Sequence, residues 1–186
     1  VERNERTHCE QYPELVRSNV QTGKMEGIII RTIKKIVSEL IKRSKTNDPF
    51  EIAAQKHIIV LFNHLGETLG FFSSYKRSKF IHINCTLDDR MRRFVCAHEL
   101  GHALLHPGVN TPFLKKNTLF SVNRLEREAN EFAVELLLPD ADLLNCHTIY
   151  EAAAVYGVPE EAVKLKRLDE NSMRKLWHDD KSDFYY

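Results

Sequence analysis

The chain has 186 residues with 42% hydrophobic and 28% charged content, enough for one domain with a real core in an ordinary soluble globular protein. Its net charge of +1 makes no electrostatic case for nucleic acid or an anionic membrane, and no apolar run approaches the roughly 18 residues of a spanning helix. Cys9, Cys85, Cys96 and Cys146 are scattered without a C-x-x-C pair, which argues against a disulfide framework and for reduced thiols in the cytoplasm.

Residues 1–24 are polar and without a steady period, and read as an N-terminal tail with at most a short irregular helix over Glu14–Asn19. No apolar core of a secretory leader stands near the N-terminus, and Met25, which opens the first patterned element, is an alternative translation start to Val1. From Glu26 to Arg43 the residues Ile29, Ile33, Ile36, Val37, Leu40 and Ile41 form one helical stripe, with Lys34, Lys35, Lys42 and Arg43 on a solvated outer face. Asp48-Pro49 then supplies an N-cap and a proline at the first position of a second helix, running through Gln55.

Three strands follow, over Ile58–Phe62, Leu69–Phe72 and Lys79–Asn84, separated by turns at Asn63–Thr68 and Ser73–Ser78. They predict a small antiparallel sheet. Thr86-Leu87-Asp88-Asp89 has the form of a capping box, so a helix is expected from about Leu87 to His106, where Pro107-Gly108 stops it. That helix carries His98-Glu99-Leu100-Gly101-His102, an H-E-x-x-H motif. Side chains four apart lie on one helix face, so His98 and His102 can offer two imidazoles to one metal ion. Glu99 sits about 100° around the helix, at the rim of that face, placed to serve as a general base without being a ligand. Zn²⁺ held by two His and one carboxylate keeps a fourth position for water and lowers its pKa toward about 7. Gly101 costs about 1 kcal/mol relative to Ala inside a helix, which predicts close approach of another element.

A polar loop is expected over Val109–Asn123, then a helix from Leu125 toward Pro139. Leu125, Ala129, Phe132, Ala133, Leu136 and Leu137 make its apolar face, which predicts a solvent stripe of Glu128, Glu131 and Glu135 on the other side. Glu126 and Asn130 flank the apolar face one turn apart. That makes Glu126 the third ligand and Asn130 a hydrogen-bond partner for a ligand histidine. Tyr75, His82 and His106 are unranked candidates for stabilising an oxyanion. In Ile149–Val163 the spacing of Ala153, Gly157 and Val163 is that of a helix-turn-helix, but Glu160 and Glu161 would open its second helix, where phosphates require cations; a packed helical hairpin is expected instead. Residues 169–186 read as a polar C-terminal tail containing Trp177.

The run from His98 to His106, followed by Glu126-Arg127-Glu128-Ala129-Asn130-Glu131 and on to Pro139, resembles the ImmA/IrrE family of metallopeptidases. The resemblance extends over about residues 25–168. It implies a bacterial cytosolic zinc endopeptidase, often encoded by phages and integrative elements, that cleaves helix-turn-helix transcriptional repressors. By position it implies His98, His102 and Glu126 as metal ligands and Glu99 as base. The expected architecture is therefore an α+β zincin-like domain over 25–168, with its small sheet on the H-E-x-x-H helix. Its expected cofactor is Zn²⁺ and its partner a protein substrate, with neither nucleic acid nor membrane. The competing reading is a metal-loaded binding module that sequesters a repressor without cutting it.

Overall fold

The computed structural model describes residues 22–107, 114–115, 123–140, 146 and 148–166. The short helix expected over Glu14–Asn19 and the tail expected over 169–186 lie outside the described residues, as does most of the expected loop. Six helices and four strands are described: α1 (Thr22–Ser44), α2 (Pro49–Gln55), β1 (Ile58–Asn63), β2 (Thr68–Tyr75), β3 (Ser78–Asn84), α3 (Asp89–Leu105), β4 (Leu114–Lys115), α4 (Arg124–Leu137), α5 (Ile149–Tyr156) and α6 (Glu160–Val163).

Local chemistry accounts for most boundaries. Asp48 caps α2 by accepting from the backbone N–H groups of Phe50 and Glu51. The capping box expected at Thr86 does not form, because the Thr86 hydroxyl and N–H both bond to the Asn84 side chain. Asp88 caps α3 instead, accepting from Met91 N–H at 2.8 Å.

The fold class is α+β as expected, but the sheet is mixed rather than antiparallel, in the order β1-β3-β2-β4. The turn at Lys76-Arg77 pairs β2 antiparallel with β3, whereas β1 lies parallel to β3, with Ile58 opposite Lys79 and Asn63 opposite Asn84. Residues 64–67 therefore cross the end of β3 to reach β2. The buried Asn84 amide holds this crossing by donating to Gly66 O at 2.8 Å and Thr68 O at 2.9 Å. A fourth strand, β4, lies on the outer side of β2, inside the stretch expected to be loop.

Helix α3 runs between the sheet and α4, so every residue from Phe94 to Ala103 is buried. Phe72, Ile81 and Ile83 cover it from the sheet side, and Phe132, Leu136 and Leu137 belong to the same core on the α4 side. Helix α4 in turn contacts α1 and α6, which overturns the expected solvent stripe: Glu131 is 5% exposed and Glu135 is 8% exposed. Each is neutralised. Glu131 pairs with Arg127, and Glu135 receives a 2.6 Å bond from Lys166 Nζ.

Lys166, with its side chain 1% exposed, also reaches Asp140 at 2.8 Å, and Asp140 pairs with Lys34 of α1. Burial opposes ionisation of Asp140, but the hydrogen bonds from Lys166 and Lys34 hold its carboxyl below the usual range. This network ties α1 and α6 to the end of α4. Lys166→Met is expected to strand the Glu135 charge and lower unfolding free energy by about 3 kcal/mol, measured by urea denaturation. A loss under about 1 kcal/mol would mean the network contributes no more than a surface pair.

The segment with helix-turn-helix spacing is a short hairpin, α5 and α6, joined at Gly157 in the left-handed conformation. Its second helix spans four residues, with Ala162 and Val163 buried. A Cβ at Gly157 would also lie 2.7 Å from Arg90 Cβ, so the glycine lets this hairpin pack against the start of α3.

Candidate active site

The close crossing of α3 and α4 builds the site. At Gly101 a Cβ would stand 3.1–3.2 Å from three atoms of the Phe132 side chain, so glycine lets Phe132 lie against the α3 backbone. This is the close approach that the sequence predicted. It brings His98 and His102 of α3 opposite Glu126 and Asn130 of α4.

His98, His102 and Glu126 each offer a ligand atom, all within 4.8 Å of one another, and all three residues are buried. The two Nε2 atoms are 3.0 Å apart, and Glu126 oxygens lie 3.3 Å from His98 Nε2 and 3.4 Å from His102 Nε2. Metal–ligand bonds near 2.05 Å in a tetrahedron place ligand atoms about 3.3 Å apart. The separation of the two nitrogens and the approach of one Glu126 oxygen to each imidazole are of this size, so the triad is geometrically consistent with a zinc site, and the N, N, O donor set suits that ion. Burial alone would raise the Glu126 pKa, but hydrogen bonds with His102 and His98 bring it down to about 2. The carboxyl is thus an anionic donor throughout the neutral range.

His98 Nδ1 lies 2.8 Å from Asn130 Oδ1. An amide oxygen only accepts, so Nδ1 donates to it, and Nε2, whose proton a bound metal would displace, faces the triad. His102 Nδ1, also buried, has no hydrogen-bond partner among the described residues. His106 is the next histidine on this helix face, its ring centroid 5.5 Å from that of His102. Its Nε2 lies 3.6 Å from Glu128 Oε2, and Glu128 is also held by Arg124 at 2.7 Å. Burial lowers the His106 pKa, and His102 adds to the effect, against the opposing pull of Glu128. Glu128 is thus neither exposed nor part of the triad: its side chain is 14% exposed and turned to the far end of the histidine row.

Glu99 is 1% exposed. A Cβ on Gly70 would stand 2.5 Å from Val95 Cγ1 and 3.8 Å from Glu99 Cγ, so β2 passes directly over this turn of α3. Gly70 is a site-shaping residue that sequence reasoning missed. Its signal was present, since a lone glycine within a strand marks close backbone approach.

The oxyanion candidates separate in space. Gly70 and Phe72 pair with Ile83 and Ile81 on the face toward α3, so His82 belongs to the opposite face, where it stacks on Phe71 with centroids 4.3 Å apart. Tyr75 is 69% exposed and five residues along β2 from Gly70, about 16 Å away. Only His106 stands beside the triad.

Comparison with known proteins gives concordant findings. A family model described as an IrrE N-terminal-like domain, of peptidase family M78, matches residues 53–167. The chain is 50% identical over 143 residues to "Uncharacterized immunity region protein 2" of Bacillus phage phi105, covering 74% of this chain and 90% of the relative. It is 34% identical over 158 residues to "Metallopeptidase ImmA" of Bacillus subtilis (strain 168), covering 79% of this chain and 92% of that protein.

Proposed function

The chain belongs to the ImmA/IrrE family and is a zinc-dependent endopeptidase of that family; on that premise we propose that it hydrolyses a helix-turn-helix transcriptional repressor and so relieves repression. The observation that carries the chemistry is the buried His98-His102-Glu126 triad, whose ligand atoms lie close enough together to share one ion. The choice of substrate is supported by the family resemblance and by the phage relative, whose name refers to an immunity region.

In this reading the peptidase domain covers 25–168, and helix α1 already opens at Thr22. No described helix is long and apolar enough to cross a membrane, and the free thiols Cys85, Cys96 and Cys146 are compatible with a cytoplasmic location. His98, His102 and Glu126 hold the metal. When bound there, Zn²⁺ supplies Lewis acidity, polarising the scissile carbonyl and acidifying water. Asn130 fixes the His98 tautomer and ring orientation. Glu99 accepts a proton from the attacking water as its oxygen adds to the carbonyl carbon, then delivers that proton to the leaving amine as the C–N bond breaks. Its burial beneath β2 keeps the carboxylate out of bulk water.

The Asn130 contact makes a measurable claim. Asn130→Ala is expected to weaken zinc affinity by about 10- to 100-fold with the fold retained, read by competition against a chelating dye. Unchanged affinity would leave Asn130 a packing residue only.

The substrate is tested by co-expression with the helix-turn-helix repressor encoded nearest the gene. Repressor fragments that require Glu99 support the proposal, and an intact repressor overturns it. A metal-loaded module that only sequesters the repressor would instead yield an intact complex with the parent protein.

A further inference from the structure

Three separate stretches of the sequence, 41–46, 55–60 and 73–80, together carry seven Lys or Arg side chains and no Asp or Glu, in a chain whose 27 basic and 26 acidic groups nearly balance as a whole. The fold brings them to one end of the sheet. Gln55 Nε2 donates to Ser44 O at 3.2 Å, joining the ends of α1 and α2. The parallel register sets Ile58 opposite Lys79, which places Lys56 and His57 beside the β2–β3 turn. Lys42, Arg43, Lys45, Lys56, Lys76 and Arg77 are all exposed, as is Tyr75.

Two observations distinguish this surface from an ordinary solvated face. Cations at the ends of α1 and α2 are favoured by the negative ends of the helix dipoles. That account does not reach Lys76, Arg77 and Lys79, which crowd like charges around a two-residue turn. The second observation is conformational: the non-glycine residues with positive φ among those described are Lys45, His57 and Lys76, at +57°, +56° and +55°. Each occupies a left-handed position where glycine or asparagine is the unstrained choice, and each places a basic side chain at this one end.

We propose that this end of the sheet is a docking surface for an acidic segment of a protein partner, apart from the metal triad. The whole chain has almost no net charge to hold a long polyanion, whereas the local charge complements a short acidic stretch. The enzyme acts on protein, so protein is what reaches this surface. Tyr75 lies about 16 Å along β2 from Gly70, beside Glu99, a separation that lets one partner occupy both places.

The proposal goes beyond the repressor assignment, and its test reads binding without cleavage. The full chain is titrated into a fluorescein-labelled peptide of alternating Glu and Gly, its Gln counterpart and a short labelled DNA duplex, with anisotropy as the readout. The acidic peptide is expected to bind and the Gln peptide not, with affinity falling about tenfold between low and physiological salt. Lys76→Gln/Arg77→Gln/Lys79→Gln is expected to weaken binding about tenfold, as is Lys42→Gln/Arg43→Gln/Lys56→Gln on the other two segments. Lys164→Gln, an exposed change elsewhere, should leave it unaltered. Far-UV circular dichroism checks the fold of each variant, and the second triple keeps the test decisive if the first does not fold. Peptide binding that is absent, or unchanged in a folded triple variant, overturns the proposal. So does a duplex bound more tightly than the peptide, which would assign the surface to nucleic acid.

Discussion

Glu99→Gln is expected to retain zinc, fold and partner binding while cutting its substrate at least 100-fold more slowly. General base catalysis is worth roughly 10²–10⁴-fold, or about 3–5 kcal/mol at the transition state. The amide has the same shape as the carboxyl and fits the same buried place under β2, but it cannot take the proton of the attacking water. Because Glu99 is 1% exposed and lies among the packed residues of α3, truncation to Ala would confound lost chemistry with a cavity; Gln avoids this. The measurement is a cleavage time course with purified substrate and both proteins at matched zinc. A variant as fast as the parent would remove Glu99 from the mechanism. No cleavage by either protein, with a stable complex formed by both, would favour sequestration.

Glu126→Gln is expected to lose most of the metal, and with it activity, while Glu128→Gln keeps both within a few-fold. The two glutamates are two residues apart on α4 but face different partners. Glu126 lies 3.3–3.4 Å from the two triad nitrogens. Glu128 instead joins His106 and Arg124, and losing its charge leaves the three ligand atoms in place. A neutral amide is a weak zinc donor, and two imidazoles alone hold the ion poorly. Elemental analysis of the purified proteins should give about one zinc per chain for the parent and Glu128→Gln, and little for Glu126→Gln or His98→Ala. The reverse order for the two glutamates would place the third ligand one helical phase away.

Much of the site was legible because a helix is a local object with a fixed period. The i, i+4 spacing of His98 and His102 put two imidazoles on one face, and the phase of α4 separated Glu126 and Asn130 from Glu128. The Asp48-Pro49 cap and the Ile33-Val37-Leu40 stripe were legible for the same reason, since they depend on neighbours within a few residues. Gly101 could be read as a close contact in advance, although not which residue, Phe132, would meet it.

What only the tertiary structure decided concerns faces whose covering lies far away in sequence. Hydrophobic periodicity marks the apolar side of α4 but is silent on whether its charged side meets water. Lys166, 31 residues beyond Glu135, turns that side into interior, because a buried lysine satisfies a carboxylate as water would. Strand propensity located β1, β2 and β3, yet their order was fixed by the Asn84 amide holding the crossing loop, an interaction with no local signature. The depth of Glu99 came from Gly70, since a missing Cβ on one element sets how near another can lie. The sheet-end basic cluster has the same origin: three chain segments, of which only Lys42 and Arg43 stood out in sequence and then as a solvated helix face, become one surface only through the parallel register of β1 with β3 and the contact of Gln55 with Ser44.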